Sequence, residues 1–275
     1  MSDERHNNPV LAGGEGTRSE QHGPSAALAP YVLHYWTAAW DVPDGQVRTA
    51  RVLNDACMHV VWEGAKVDVV GVVKKTFERE LRGASRVIGV KLRPGAARLL
   101  LLDRPASLVD RRVDLIDEAF TIAPGLGVPA LDPTAREIAA CTSLGDAVPH
   151  LEAFLAPRFA RTAADHPSYG LVCRAIDGVV HDPELDEVSA LASALAVSVR
   201  VLQRAFREYV GVTPKWLIRR VRLQDAARAL KEGRATNLAE LAARLGYFDQ
   251  AHLARDFKDT TGLSPRDFRR GVASG

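Results

Sequence analysis

The chain has 275 residues, of which 47% are hydrophobic and 25% charged, and its formal net charge is +2. This length suggests two domains, and the apolar content is sufficient for two cores. No apolar run is long enough for a signal segment or a membrane span, so we expect neither a secretory signal nor a transmembrane helix. The three cysteines are odd in number and widely spaced, as expected for free thiols in a cytoplasmic protein.

The N-terminal half divides into two predicted segments. Residues 1–27 are rich in Gly, Ser, Asn and charge without periodicity, which predicts a disordered leader. Residues 28–122 hold several short runs of β-branched and aromatic residues, which predict strands at 31–36, 57–62, 67–73 and 87–92. Strands at this close spacing indicate a barrel or a curled sheet.

Aromatic and histidine side chains in this β-rich segment raise the question of a ligand or metal. A candidate ligand pocket is formed by Tyr35, Trp36, His59 and Trp62, although aromatic residues in strands are more often part of a core. A metal would need His34, His59 and Glu63 to converge, and their spacing does not match a cupin metal motif, in which paired histidines lie two residues apart. We therefore predict no metal, no cofactor and no catalytic residue, and interpret the protein as a non-enzyme.

A helical segment follows the β-rich one. Residues 123–133 form a Pro/Gly-rich break, and residues 134–164 carry an apolar stripe at helical spacing. The predicted linker over 123–166 either joins two copies in a homodimer through this stripe or packs it within its own chain. The sequence does not separate these two alternatives.

The C-terminal segment, 167–275, contains one pattern twice, at a constant offset of 51 residues. Repeated spacing of this kind predicts one supersecondary unit used twice. Apolar residues at three-four spacing, broken by a turn and followed by a capping residue, predict helix, turn, helix in each copy. The matching positions of the two copies are Leu202 and Leu253, Phe206 and Phe257, Gly211 and Gly262, and Pro214 and Pro265.

The outward faces of the two capped helices carry the side chains that indicate function. Arginine donates two hydrogen bonds to guanine, and glutamine pairs in the same way with adenine, so a helix that presents them is suited to the major groove. A solvated basic face on a helical bundle is the alternative, but two units in register make it less favoured. The outward positions are Arg200, Gln203, Arg204 and Arg207 on the first helix, and Gln250, Ala251, His252, Arg255 and Lys258 on the second.

Positive charge is concentrated in the same region. From Glu184 to Gly275 there are 16 Lys and Arg against 11 Asp and Glu, so this third is basic although the whole chain is nearly neutral. Such a distribution is typical of phosphate binding. The predicted DNA-backbone contacts are Ser198, Arg207, Arg219, Arg220, Lys258, Arg266 and Arg269, with Arg222, Lys231, Arg234 and Arg270 as further candidates.

This C-terminal segment resembles the DNA-binding domain of AraC/XylS-type bacterial transcription regulators. The resemblance covers about a third of the chain and implies two helix-turn-helix units joined by a long helix, here Pro214 to Lys231. A looser resemblance of residues 51–96 to the N-terminal domain of some of these regulators implies a sensor or dimerisation role with a cupin-like shape. The residues that carry the first resemblance include Leu191-Ala192, Arg204-x-Phe206-Arg207, Gly211-x-Thr213-Pro214, Gly246-Tyr247-x-Asp249-Gln250 and Gly262-x-Ser264-Pro265. By the family pattern, the resemblance implies that the base-reading residues are Arg200, Gln203 and Arg204 in the first unit, and Gln250, Ala251, His252 and Arg255 in the second.

The sequence thus predicts an α+β protein with a mainly β N-terminal domain, a helical linker and an all-α C-terminal domain with two helix-turn-helix units. The expected function is sequence-specific transcription regulation in the bacterial cytoplasm. Its expected partners are double-stranded DNA, a small-molecule effector and, for an activator, RNA polymerase. Two alternatives stay open: an N-terminal domain with its own ligand-binding or catalytic function, and a basic module that binds DNA without sequence preference.

Overall fold

The computed structural model describes residues 10–12, 16–64, 66–100, 105–114, 133–162, 166–234 and 237–273. The strands are β1 (Val10–Ala12), β2 (Thr17–His22), β3 (Val32–Asp41), β4 (Arg48–Val52), β5 (His59–Glu63), β6 (Lys66–Val70), β7 (Phe77–Leu81), β8 (Ala84–Leu92) and β9 (Arg112–Asp114). The helices are α1 (Ala97–Leu100), α2 (Pro133–Ala140), α3 (Leu144–Thr162), α4 (Tyr169–His181), α5 (Val188–Ala194), α6 (Val199–Tyr209), α7 (Pro214–Lys231), α8 (Leu238–Arg244), α9 (Gln250–Thr261) and α10 (Pro265–Ala273), and a short 3₁₀ helix spans Pro105–Leu108. Among the described residues, no single helix is long and apolar enough to cross a membrane, and all three cysteines are free thiols.

The N-terminal domain consists of two antiparallel sheets. One has six strands in the order β2-β3-β8-β5-β6-β9, and the other has three in the order β1-β4-β7. The register of the larger sheet aligns His34 of β3 with Lys91 of β8, and Lys91 with His59 of β5. Together with the helical C-terminal half, these sheets confirm the predicted α+β class with a mainly β N-terminal domain.

The prediction that residues 1–27 are disordered is wrong for those of them that the structure describes. Strand β1 pairs with β4, and β2 pairs with β3 along its whole length, from Thr17 opposite Trp40 to His22 opposite Tyr35. The polar side chains of β2 are mostly exposed because it is an edge strand, so its sequence has none of the apolar alternation that indicates a strand. Residues 1–9 and 13–15 lie outside the described residues.

Helices α2 and α3 cover one face of the six-stranded sheet. The apolar stripe predicted for this segment lies in the hydrophobic core, with Leu151 and Leu155 fully buried. Phe154 packs edge to face on Trp62 of β5 at 5.6 Å between ring centroids, and Phe159 stacks on Tyr31 at 4.4 Å. Of the two alternatives for the stripe, packing within the chain is therefore confirmed, and these side chains do not form a dimer surface. The predicted Pro/Gly break lies almost wholly outside the described residues.

The C-terminal domain has two hydrophobic cores that meet along α7. The first core is continuous with that of the N-terminal domain and includes α4, α5, α6 and, from α7, Leu217 and Ile218. The second core contains Leu223 to Leu230 of α7 together with α8, α9 and α10. One residue of the N-terminal domain, Leu53, is buried in this second core. Helix α7 thus links the two halves of the domain.

Polar contacts hold α7 against the N-terminal domain. Arg220 is 2% exposed and donates hydrogen bonds to the backbone carbonyls of Val73, Lys74 and Lys75, in the loop between β6 and β7. Four residues further along α7, Gln224 Nε2 donates to the carbonyl of Leu53 at 3.2 Å. Both side chains point from α7 toward loops that follow strands, so the helix is fixed to the β-domain along two of its turns.

Candidate nucleic-acid interface

Two helix-turn-helix units share one turn geometry. In the first unit, α5 and α6 meet at 97°, within the range typical of this motif. The amide of Val197 donates to the carbonyl of Ala192 at 3.0 Å, and the amide of Tyr247 donates to that of Ala242 at 2.9 Å, so both turns close in the same way. The repeated spacing in the sequence therefore reflects a repeated structure.

The left-handed residue of each turn differs between the units. Gly246 has φ +69° in the second turn, while the equivalent residue of the first turn, Ala196, has φ +54°. A Cβ atom makes this conformation unfavourable, so the first turn holds backbone strain that the second avoids.

This difference leads to a prediction about stability. Ala196→Gly should raise the free energy of unfolding by about 0.5–1 kcal/mol, because glycine adopts this conformation without the steric cost. Ala243→Gly, at an exposed helical position of α8, should instead lower it by a similar amount. Urea denaturation of both variants tests this; a loss of stability in Ala196→Gly would contradict the steric account.

The second helix of each unit, α6 or α9, is capped at its N-terminus as the sequence predicts. Ser198 Oγ accepts a hydrogen bond from the amide of Val201 at 3.3 Å, and Asp249 Oδ1 accepts one from the amide of His252 at 2.7 Å. These caps satisfy amide groups that have no partner within the helix, and they fix where α6 and α9 begin.

The inward faces of α6 and α9 hold both helices in place. Leu202 and Phe206 of the first unit, and Leu253 and Phe257 of the second, are fully buried. The apolar spacing of α6 also predicts burial of Val201, and this prediction is wrong: the side chain is 36% exposed and lies next to Arg200 at the edge of the outward face.

The opposite faces expose all the predicted base-reading residues. Because the inward faces are fixed by packing, these side chains project outward as one row on each helix. Their contact with DNA bases stays a prediction. The exposed residues are Arg200, Gln203 and Arg204 on α6, and Gln250, Ala251, His252 and Arg255 on α9.

The predicted backbone-contacting residues divide into two groups. Ser198, Arg207, Lys258, Arg266 and Arg269 are exposed, in positions suited to phosphate. The prediction that Arg220 contacts the DNA backbone is wrong, because its side chain is buried against the β6–β7 loop. Burial also lowers the pKa of its guanidinium to about 10. Its neighbour Arg219 is half-exposed and forms an ion pair with the buried carboxylate of Asp256.

Arg219 belongs to a buried network within the second unit. Besides the ion pair with Arg219, Asp256 accepts a hydrogen bond from the Tyr247 hydroxyl at 2.8 Å. Burial, followed by the nearby Asp256 charge, raises the pKa of Tyr247 far above its usual value, so this phenol stays a donor. The network ties α9 to both α7 and the turn. The sequence analysis did not predict this network. The signal was the position of Asp256, which is three residues after Leu253 and therefore on the buried face of α9.

A second arginine that was a backbone candidate, Arg222, connects the two units. It forms an ion pair with Asp186 at 3.1 Å and donates to the carbonyl of Asp186 at 3.0 Å, just before α5. The same guanidinium donates to the carbonyl of Gly246 in the turn of the second unit at 3.5 Å. Arg222 thus restrains the relative positions of the two units, which the sequence pattern did not indicate.

The N-terminal domain contains a cavity between its two sheets, with a volume of about 560 Å³. Of the four predicted pocket residues, Trp36 and His59 line it, and Trp36 Nε1 donates to His59 Nδ1 at 3.2 Å. The prediction is wrong for Tyr35 and Trp62. Side chains alternate along a strand, and these two point to the face of the sheet that lies away from the cavity. There Tyr35 donates its hydroxyl to Glu152 of α3 at 2.7 Å.

Charged side chains in the cavity wall are paired with carboxylates behind them. Lys91 is 1% exposed and lies 2.7 Å from Asp55. Burial opposes ionisation of Asp55, but the Lys91 charge outweighs it and holds the pKa of the carboxyl at about 2. Glu63, considered above as a metal ligand, instead forms ion pairs with Arg79 and Arg112. In the part of the chain that the structure describes, no three metal-ligating side chains come together.

Comparisons with known proteins match both halves of the chain. Residues 191–271 match the family model described as a helix-turn-helix domain. Residues 20–114 match a domain of unknown function, DUF6597. The second match begins within strand β2, eight residues before the N-terminal domain that we predicted from the sequence.

The curated relatives each match about a third of the chain. The transcriptional activator RhaS of Escherichia coli is 34% identical over 94 residues, which are 34% of each chain. An uncharacterized HTH-type transcriptional regulator of Haemophilus influenzae is 32% identical over 100 residues, 36% of this chain and 33% of its own. A solved regulator structure from Chromobacterium violaceum, with an AraC-type DNA-binding domain, has a TM-score of 0.36 at 21% identity and covers 40% of this chain and 96% of its own.

The matched region spans only about a third of the curated relatives' length. Both relatives are described as transcription regulators, in keeping with the expectation that the chain is not an enzyme. With the repeated geometry of α5–α6 and α8–α9, these matches show that residues 191–271 of this chain form a helix-turn-helix domain, joined to a DUF6597 domain at residues 20–114.

Proposed function

We propose that this protein is a sequence-specific transcription regulator that reads the DNA major groove with α6 and α9. The observation that carries the proposal is the pair of like helix-turn-helix units, each with its apolar face buried and its Arg, Gln or His side chains exposed. Side chains of these types form hydrogen bonds with base edges that are unique to each base pair.

The connection between the units bears on how DNA is bound. Helix α7 has 18 residues and so is about 27 Å long. Arg222 further restrains the units on either side of it. Since adjacent major-groove segments on one face lie about 34 Å apart, we expect bound DNA to bend toward the protein.

The N-terminal domain is the proposed control element. Its cavity is within the size range of small-molecule sites. The contacts of Arg220 and Gln224 join this domain to α7, so a change at the cavity has a direct structural route to the reading units. RhaS is described as an activator, and activation, with RNA polymerase as the partner, is the direction that we propose for this chain.

DNase footprinting on the gene's own upstream region tests the function. We expect two protected segments about one helical turn (~34 Å) apart on one face of the duplex. Protection that spreads evenly along the DNA at physiological salt would instead support a nonspecific basic module.

A substitution of one reading residue provides the sharper test. Arg204→Ala should weaken binding to the protected site by about 1–3 kcal/mol, which is about 5- to 150-fold, and should relax base preference at one position. Fluorescence anisotropy with the site and with a scrambled duplex measures both effects.

The control for this substitution is Arg174→Ala, which removes the same charge from an exposed position of α4, outside both units. We expect its affinity for the site to change by less than twofold, as charges distant from a binding surface are largely screened. Equal losses for Arg204→Ala on the site and on the scrambled duplex would refute the base-reading role.

A further inference from the structure

The cavity of the N-terminal domain has a polar end that is formed by three aligned side chains. Because β3, β8 and β5 are in register there, His34, Lys91 and His59 form a row across three adjacent strands, and all three line the cavity. Along β3 the lining then becomes mostly apolar, with Trp36, Ala38 and Trp40, and the Arg79 guanidinium that lies over the Trp40 ring is paired with Glu63. From His34 to Trp40 the strand extends about 20 Å. The shape therefore suits an elongated molecule with one polar end.

The polar end lies against the DNA-binding domain. Leu53 packs into the second core with Leu230 of α7, the next residue, Asn54, lines the cavity, and Asp55 pairs with Lys91 of the row. Lys231, the last residue of α7, also lines the cavity. The wall of this N-terminal cavity therefore includes a side chain from the helix that joins the two reading units.

Charge in the lining favours an anion at this end. The cations Lys91, Arg79 and Arg112 are each paired with a carboxylate, whereas Lys231 forms no ion pair with any described residue. Among the described residues, Glu20 is the one acidic side chain in the lining. It is exposed on the edge strand β2 opposite Thr37, three residues along β3 from His34. An acidic group beside Lys231 would thus complete a charge pair that the protein itself lacks.

A histidine in the row adds an unused donor. His59 Nδ1 accepts from Trp36, so in the neutral ring the proton lies on Nε2, and Nε2 has no hydrogen-bond partner among the described residues. Burial lowers the pKa of His59 to about 3, which keeps the ring neutral. A buried donor without an acceptor is unfavourable. Because Nε2 is closed off from solvent, a ligand oxygen would remove that cost only after the His59 ring turns toward the cavity.

We infer that this cavity binds an amphipathic organic anion, with its acidic group at the polar end beside Lys231 and its apolar body along Trp36 and Trp40. This inference deepens the ligand control proposed above and rests on it. Such a ligand contacts both domains at once. By linkage, it binds more tightly when α7 is docked on the β-domain, and it stabilises that docking by the same factor.

Two fluorescent probes with related apolar bodies test the inference on the full chain. Anilinonaphthalene sulfonate is an aromatic anion, and N-phenylnaphthylamine is its uncharged counterpart. We expect the sulfonate to bind with energy transfer from tryptophan. Lys231→Met should weaken its binding about tenfold and that of the uncharged probe less than twofold, because the substitution removes a charge and keeps an apolar stem.

Two further variants serve as controls. Lys215→Met removes a charge from an exposed position near the start of the same helix, away from the cavity, and should leave both probes unchanged. Ala38→Trp fills the cavity from its lining and should abolish binding of both, if thermal denaturation shows that the variant is folded. Retained binding of the probes in folded Ala38→Trp would place them elsewhere and overturn the inference.

Equal losses of both probes in Lys231→Met, or no loss of the sulfonate, would also overturn the inference. Neither probe needs DNA, so failure here is distinct from failure of the proposed function, which the Arg204→Ala binding data decide. If the inference holds, the sulfonate should also raise the thermal midpoint of the wild type more than that of Lys231→Met.

Discussion

Phe257→Ala should lower the free energy of unfolding of the second reading unit by about 3–5 kcal/mol. The Phe257 ring is fully buried and contacts Phe268 of α10 at 5.6 Å between ring centroids. It lies in the smaller core that α7 shares with α8, α9 and α10, so few other side chains can move to fill the space that it leaves. Urea denaturation followed by circular dichroism measures the loss.

The matched control lies in the same unit. Phe248, in the turn before α9, is 94% exposed, so Phe248→Ala removes the same side chain without opening a cavity. We expect its effect on stability to stay within about 0.5 kcal/mol. Losses of similar size for the two variants would contradict the packing described for α9.

Arg220→Met should destabilise the full chain by about 2–4 kcal/mol and loosen the contact between the two domains. Methionine keeps much of the side-chain volume but donates no hydrogen bond to the carbonyls of residues 73–75. It also removes the stacking of the guanidinium on Trp216, whose ring centroid is 4.7 Å from Arg220 Cζ. Denaturation and limited proteolysis of the 71–76 loop measure the two effects.

Lys215→Met, one turn earlier on α7 and exposed, is the control for this substitution. It should leave both the stability and the proteolysis pattern as in the wild type. Since α7 joins the reading units, we also expect Arg220→Met to change the response of DNA binding to a cavity ligand more than its affinity for scrambled duplex. Unchanged stability in Arg220→Met would show that these hydrogen bonds do not hold the domains together.

The helix-turn-helix units could be predicted because their signals are local. Caps such as Ser198 and Asp249, and apolar spacing such as Leu253 to Phe257, depend on residues within one or two turns of each other. The adjacent Arg219 and Arg220 show where this reasoning fails. The sequence predicts that both are basic surface residues. Which of the two faces inward is decided by the packing of a loop of the other domain on α7, and Lys75 of that loop is 145 residues from Arg220 in sequence.

The β-domain was less predictable for a related reason. Alternation along β3 and β5 shows that Tyr35 and Trp36 point to opposite faces, but both faces of this sheet are covered, so neither face is marked as polar. Only the packing of α3 on one side and of the three-stranded sheet on the other shows that Trp36 and His59 share the cavity. Lys231 was unpredictable as a lining residue, because it reaches the cavity from the other domain.

The division of the hydrophobic interior along α7 has a consequence for local opening of the native state. Amide protons of α6 should exchange with solvent deuterium only when the whole N-terminal portion unfolds, because their packing is continuous with it. Those of α8 and α9 depend on the smaller cluster and should exchange through a separate, less costly opening. The first helix-turn-helix unit would then stay folded while the second opens locally. Under the proposed function, α6 and α9 therefore need not contact their two major-groove segments at the same moment.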